Sequence, residues 1–401
     1  MARLWDKGKT LDQRILEFTA GEDHLLDARL VPYDVAASIA HAKMLEAQGL
    51  LNAVDSAAVV AGLKALGEAH ARGEWRIELA DEDVHTALER RLIEDIGEPG
   101  GRVHLGRSRN DQVLTALRLY LKDAIADLVE LAGAVITALD KIAAEQGAIP
   151  LPGYTHMQPA MPSSVALWAQ GFAAEIADDR DGLLAAIRRA DKSPLGSAAG
   201  YGTPKLPLDR EATRKALGFA TVHEPVTAVQ LSRGKAEASL LFELALLSTD
   251  LGRIAADLML YYMAEFAFVA LPNEMTTGSS IMPQKRNPDV FELVRAAPAT
   301  VQSALQETLA IVAKLPSGYH RDLQRLKSPL FRGIDLTLDC LAIMAHALNS
   351  IEFKAENIAL SPELFAAERA NELVLQEGLP FRDAYRRIGA ELDRERAARK
   401  K

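Results

Sequence analysis

The sequence predicts an all-α protein. Three observations carry that expectation. Alanine and leucine abound, short alternating runs of Val, Ile and Thr between turn signals are nearly absent, and apolar residues recur at helical intervals over long stretches. The 401 residues suffice for one large core or two to three domains. With 49% hydrophobic and 25% charged residues, the composition is that of an ordinary globular chain rather than a disordered one.

The helices follow in order. Asp81 is a good N-cap, and Val84, Leu88, Leu92 and Ile96 keep an i+4 spacing until Gly97 ends the helix. A second helix is expected from Ser108–Asp111 to about Glu145, stopped by Gly147 and Pro150. A third runs from about Ser163 to Ala190, and a fourth from Gly234 to about Leu271. In the fourth, Glu237, Glu243, Asp250, Arg253, Asp257 and Glu265 punctuate the apolar run, as in a core helix of a soluble bundle. A fifth opens at Asn287-Pro288, Asn as cap and Pro at the first helical position, and reaches about Leu315. A sixth covers roughly Pro329–Asn349. Helices this long, with apolar faces wider than one stripe, suit a bundle whose outer faces are also buried in an oligomer. Boundaries near Arg107 and Ser350 divide the chain into an N-terminal helical domain (1–107), a central bundle (108–350) and a small helical C-terminal domain (351–401).

The remaining composition excludes several classes. A formal charge of −9 argues against a nucleic-acid partner, and the basic RERAARKK run at the end reads as a solvated helix terminus. Cys340 is the only cysteine, so no intrachain disulfide or multi-thiolate metal site is expected. Met1–Asp12 carries charges throughout and lacks the apolar core of a secretory signal. The longest stretch without Asp, Glu, Lys or Arg, Gln146–Ala174, is interrupted by four prolines and His156, so no membrane span is expected. A soluble, cytoplasmic protein fits these features.

Three polar segments look wrong for plain connectors. GRVHLGRSRNDQV (Gly101–Val113) clusters Arg107, Arg109, Asn110 and Asp111 at a helix start, where backbone N–H groups and guanidiniums suit a carboxylate or phosphate. A capped helix with surface arginines explains the same residues. LPGYTHMQP (Leu151–Pro159) places Thr155 and His156 between prolines; the imidazole, with its pKa near 6.5, suits proton transfer, although lone histidines are more often structural. MTTGSSIMPQKRNP (Met275–Pro288) combines hydroxyls, Lys285, Arg286 and Asn287 and leads into a helix carrying Glu292. It lacks P-loop spacing, and no metal-ligand spacing such as H-E-x-x-H occurs, so neither a metal nor a cofactor is expected. Hydroxyl, imidazole, carboxylate and cationic groups suit an elimination next to a carboxylate. Spacing alone does not choose that reaction over a hydrolase or a passive anion binder.

These segments also carry a resemblance. TGSSIMPQKRNPD is similar to the signature G-S-S-x-M-P-x-K-x-N of the fumarase/aspartase superfamily. DEDVHTALERRL, GRSRNDQV, GYTHMQP, SPLGSAAGYGT and YHRDLQRLK match further blocks in the right order. The SRNDQ and YxxDLQ blocks resemble the argininosuccinate lyase branch, and the similarity runs from about residue 30 to about 390. The resemblance implies an all-α fold with a long central bundle, a homotetramer whose active sites draw on three chains, and reversible β-elimination of argininosuccinate to arginine and fumarate.

Carried over position by position, it implies that Ser279 removes the Cβ proton as an alkoxide stabilised by loop amides and Lys285. Lys285 and Asn287 hold the carboxylate that takes up charge. His156, paired with Glu292, stands on the acid side. Ser38, Ser108, Asn110 and Thr155 contact the succinate portion, and Arg109, Tyr319, Gln324 and Lys327 reach the arginine portion. His85 lines the same cleft or merely packs its helix. Against the family's N-S-x-D-x-x-S-[DE]-R-D block, this chain reads VTAVQLSRGK (Val226–Lys235), which keeps Ser232 but brings in Arg233 and Lys235. THMQPAMP also departs from THLQRAQP, and the chain stops soon after GLPFRDAYRRIG. A sister lyase acting on another N-substituted aspartate is therefore the second reading, and a non-catalytic crystallin-like homologue the third.

Overall fold

The structure, a computed structural model, describes residues 12–399. The charged opening read over Met1–Asp12 falls outside the described residues up to Leu11, as do Lys400 and Lys401 of the basic end. The longer helices are α1 (Gln13–Ala20), α2 (Val31–Ala47), α3 (Ala53–Ala71), α4 (Val84–Ile96), α5 (Arg109–Gln146), α6 (Val165–Ala190), α7 (Lys235–Tyr262), α8 (Asp289–Val312), α9 (Lys327–Leu348), α10 (Ala366–Glu377) and α11 (Phe381–Arg399). Strands are short and paired locally: β1 (Pro150–Thr155) with β2 (Gln158–Ser164), and β3 (Val269–Ala270) with β4 (Glu352–Phe353), both antiparallel. A parallel two-residue pair joins Lys192–Ser193 to Thr221–Val222. The expected all-α class holds.

Local chemistry explains where the helices differ from expectation. Asp83, not Asp81, caps α4, accepting from the Thr86 N–H at 2.9 Å. Between the two acids Glu82 takes φ 66°, so Asp81 is left to a 3₁₀ turn, where it closes a capping box with Glu78 and accepts from Arg90. Helix α7 stops at Tyr262, short of the expected Leu271. The chain turns back at Ala267 (φ 48°) and pairs as β3, and Phe268 comes to lie 5.9 Å from the Tyr261 ring. Helix α8 starts at Asp289, because Asn287 spends its N–H and carbonyl on Thr277, at 2.8 and 3.1 Å, instead of capping. The Pro288 carbonyl accepts from Phe291 in its place.

The chain forms two compact units, and the divisions between them fall inside α5, α6, α7, α8 and α9. Unit 1 comprises Met1–Val129, Asp181–Ala245 and Ala299–Thr337. Its core includes Leu63, Leu92, Leu114, Leu117, Leu121, Phe219 and Phe331, all fully or almost fully buried. Unit 2 comprises Glu130–Arg180, Leu246–Pro298 and Leu338–Lys401. Leu251, Ile254, Leu258, Ile176 and Val294 fill its core, and Ala370, Ala384 and Ile388 pack α10 against α11 as a satellite. There α7 and α8 approach closely: a Cβ on Gly252 would stand 3.3 Å from Pro298 Cγ. No helix among the described residues is long and apolar enough to cross a membrane.

Candidate active site

Unit 2 presents two polar loops. The β1–β2 hairpin shifts register by one residue between Gly153 and Tyr154, pairs on to Thr155↔Gln158 and turns through His156 and Met157 alone, at φ 53° and 60°. Two consecutive left-handed residues make the tight turn whose twist matches paired strands, a turn that normally asks for Asn-Gly. The side chains present are unfavourable there by roughly 1–2 kcal/mol each. Strain of this kind persists where a side chain is held for use. Here it places the imidazole of His156 at an exposed tip beside the exposed Thr155.

In the second loop the Thr277–Asn287 bridge closes a projection that carries Ser279 and Lys285. The Ser279 Oγ turns back on its own loop, accepting from the backbone N–H of Met282 at 3.2 Å and, more weakly, of Ile281 at 3.4 Å. Amide donors aimed at an oxygen favour its anionic form. Lys285 is exposed and its side chain has no ion-pair partner among the described residues. Asn287 Nδ2 donates to the Gly278 carbonyl at 3.3 Å, and Thr277 Oγ1 donates to Asp289. Glu292 stands exposed on the first turn of α8. Within one chain the expected pairing of His156 with Glu292 is not formed: a hairpin tip and a helix start each present their charge outward, and no ion pair joins them.

Unit 1 collects the charged residues around two cavities. One, of about 30 Å³, is lined by Asp23, Asp83, Arg109, Arg233, Tyr319 and Lys327, among others. Lys327 is 2% exposed, its Nζ 2.6 Å from Asp27 and 2.9 Å from Asp23. Burial alone would lower its pKa, but the two aspartates more than offset this and raise it. Burial pushes Asp23 up, to about 6, against the pull of Lys327. Arg109 reaches Asp83 at 3.0 Å and Glu82 at 3.5 Å. Gln324 also reaches the end of α1: its Nε2 donates to the Thr19 and Ala20 carbonyls, and its Oε1 accepts from Arg321.

The other cavity, of about 360 Å³, is lined by His85, Thr86, Arg107, Ser108, Arg109 and Gln112, among others. His85 is buried with Nδ1 2.6 Å from Asp34, while Nε2 has no partner. Burial would lower its pKa, yet Asp34, Asp83 and Asp27 raise it, so the imidazolium is favoured. Ser38 is 4% exposed, donating to Asp34 and accepting from Arg107 at 2.8 Å. The Ser108 Oγ accepts from the Asn110 N–H at the start of α5. Asp111, expected as part of the anion cluster, is instead a buried anchor, accepting from the N–H groups of Ser108, Gly196 and Ala198. Burial pushes its carboxyl up to about 6 against those donors.

The profile of the lyase family matches residues 9–303. The chain is 47% identical over 392 residues to the argininosuccinate lyase of Sorangium cellulosum, covering 97% of this chain and 90% of that protein. It is 41% identical over 396 residues to the argininosuccinate lyase of Thermotoga neapolitana, covering 98% and 99% respectively. The chain belongs to the lyase family, in its argininosuccinate lyase branch. A crystal structure of EDDS lyase in complex with formate shares the fold, with a TM-score of 0.82 at 24% identity, covering 95% of this chain and 76% of that one.

For this lyase, the site residues read from the sequence fall into two groups. Ser279, Lys285, Asn287, Thr155, His156 and Glu292 lie in unit 2. Ser38, His85, Ser108, Arg109, Asn110, Tyr319, Gln324 and Lys327 lie in unit 1. Lys327, expected to meet substrate, is held by Asp23 and Asp27, and Ser38 by Asp34 and Arg107. Sequence reasoning missed the acidic side of the small cavity, Asp23, Asp27, Glu82 and Asp83. The first two stand four residues apart in GEDHLLDARL, a visible pairing, but their cation is Lys327, some 300 residues away.

Proposed function

We propose that this lyase catalyses the reversible β-elimination of argininosuccinate to arginine and fumarate, in arginine biosynthesis in the cytoplasm. The Ser279 oxygen, as alkoxide, takes the Cβ proton of the succinate portion. The electron pair left behind moves into the neighbouring carboxylate, which Lys285 and Asn287 hold. The C–N bond then breaks, the new C=C makes fumarate, and the departing guanidino nitrogen takes a proton on the His156 side. Thr155, Ser38, Ser108 and Asn110 position the succinate portion, and Arg109, Tyr319, Gln324 and Lys327 the arginine portion. No cofactor enters this scheme.

The observation that carries it is the Ser279 hydroxyl bent back onto the loop amides of Ile281 and Met282, on a projection that also displays Lys285. The likeness to the Sorangium and Thermotoga enzymes supports the choice of substrate. A homotetramer is part of the proposal, with His156 meeting Glu292 across chains. It is supported by Phe242 and Leu246, exposed one turn apart on α7, and by Leu293 and Leu309 on α8. The division into an N-terminal domain (1–107), a central bundle (108–350) and a C-terminal domain (351–401) belongs to the same reading. Incubating the purified protein with argininosuccinate, and following fumarate and arginine together, tests the reaction. Release of fumarate from a different N-substituted aspartate in preference would replace the substrate.

A further inference from the structure

Four cations line the small cavity of unit 1, and three of them are matched by carboxylates. Lys327 is held by Asp23 and Asp27, Arg109 by Asp83 and Glu82, and Arg321 by Glu82. Arg233 is the exception. It is 4% exposed, lies over the Tyr319 ring at 5.8 Å, and makes one long hydrogen bond, from Nη2 to the Leu323 carbonyl at 3.4 Å. Its Nε and Nη1 have no hydrogen-bond partner, and no carboxylate pairs with it among the described residues.

The surroundings of Arg233 do not supply the missing charge. Arg118 is 1% exposed and already bound to the Lys192 carbonyl, His223 and Ser232. Glu237, also buried, acts electrostatically on Arg118 and leaves Oε1 without a partner. Glu237 thus acts on Arg118, and among the described residues no carboxylate stands within ion-pair distance of Arg233. A buried guanidinium with unmet donors is costly unless an anion completes it. A carboxylate is the anion its donors fit best. Lys235, the other cation introduced in this block, is exposed and does not line the cavity.

We infer that Arg233 receives the α-carboxylate of the substrate's amine half, beside Lys327, two of whose three donors are taken by Asp23 and Asp27. Arg233 thereby reads whether the departing amine is an amino acid. The cavity volume of about 30 Å³ admits a group of a few atoms rather than a whole side chain, which suits a terminal carboxylate. The inference rests on the proposed reaction, in which the arginine moiety carries a single carboxylate.

The test compares fumarate release from argininosuccinate and from the corresponding adduct of decarboxylated arginine, with the unaltered protein and with Arg233→Gln. On argininosuccinate the variant should lose roughly ten- to a hundredfold in kcat/KM, mostly through KM, as for one charge-assisted hydrogen bond. On the decarboxylated adduct it should lose far less. Arg233→Lys, which keeps the charge, should restore part of the loss; if Arg233→Gln fails to fold, the Lys variant carries the comparison between the two adducts. Equal losses on both adducts, or none on argininosuccinate, overturn the inference and leave the reaction standing. Absence of argininosuccinate turnover by the unaltered protein is a separate result, and it overturns the proposed reaction itself.

Discussion

Ser279 as a free alcohol would be a poor base, and its placement answers that problem locally: two loop amides point at Oγ, and Lys285 stands six residues on. Ser279→Ala should therefore cut turnover by at least ~10²–10⁴-fold while leaving KM for argininosuccinate within a few-fold. Single-turnover and steady-state rates measure this, and near-normal turnover would assign the base elsewhere. Lys327 carries the opposite expectation. Removing its ammonium strands the buried Asp27 and the half-buried Asp23, so Lys327→Met should destabilise the fold by ~3–5 kcal/mol, read as a shift of the denaturant midpoint. An unchanged midpoint would show that Asp23 and Asp27 do not depend on it.

His41 makes a third case at this scale. It is fully buried, donates from Nε2 to the Leu105 carbonyl at 2.9 Å, and is pushed down to about 3 by burial and by Arg107. Between 6.5 and about 3 the unfolded chain binds a proton that the folded chain refuses, so this contribution to stability is lost as pH falls. The stability difference between the unaltered protein and His41→Gln should narrow by about 1.4 kcal/mol per pH unit below 6.5, measured by urea unfolding across a pH series. A difference independent of pH would mean that His41 is charged in the fold.

Elements place these groups by their ends more than by their lengths. The α4 start turns on which acid caps it, and Glu82 at φ 66° decides in favour of Asp83, which then faces Arg109. The α8 start turns on Asn287, which bridges to Thr277 and so shapes the Ser279 projection. The β1–β2 tip holds Met157 at φ 60°, where glycine is at ease. Met157→Gly should raise thermal stability by roughly 0.5–1 kcal/mol, the relief of left-handed strain less the entropy glycine adds to the unfolded chain. Loss of stability in a melting experiment would show that the Met157 side chain, 68% exposed here, packs against something else in solution.

At the scale of the molecule, the proposed catalytic groups gather in one compact unit and most of the proposed binding groups in the other. Phe242 and Leu246, apolar and exposed one turn apart on α7, support association of chains. If active sites are shared, Ser279→Ala and His156→Asn tetramers, each inactive, should regain partial activity after mixed dissociation and reassembly. Random mixing leaves some sites with both groups intact. Hybrid tetramers with no activity would place each site within one chain.

The amino-acid sequence by itself determined the all-α class, the extents of α5, α6 and α9 to within two residues, and the polar segments that carry Ser279, His156 and Asn110. Those features are local. Helical period, capping residues and Gly or Pro stops act over a few residues and remain readable in one dimension. The end of α7 escaped this reading, because Phe268 folding back on Tyr261 competes with continued helix, and only packing decides that contest. The states of the charged residues escaped it too. Lys327 reads only as a cation for the substrate until Asp23 and Asp27 reach it from 300 residues away, and Arg233 only as a departure from the family's block until burial leaves its donors unmet. Which charges are neutralised depends on partners distant in the chain, and the tertiary structure alone brings them together.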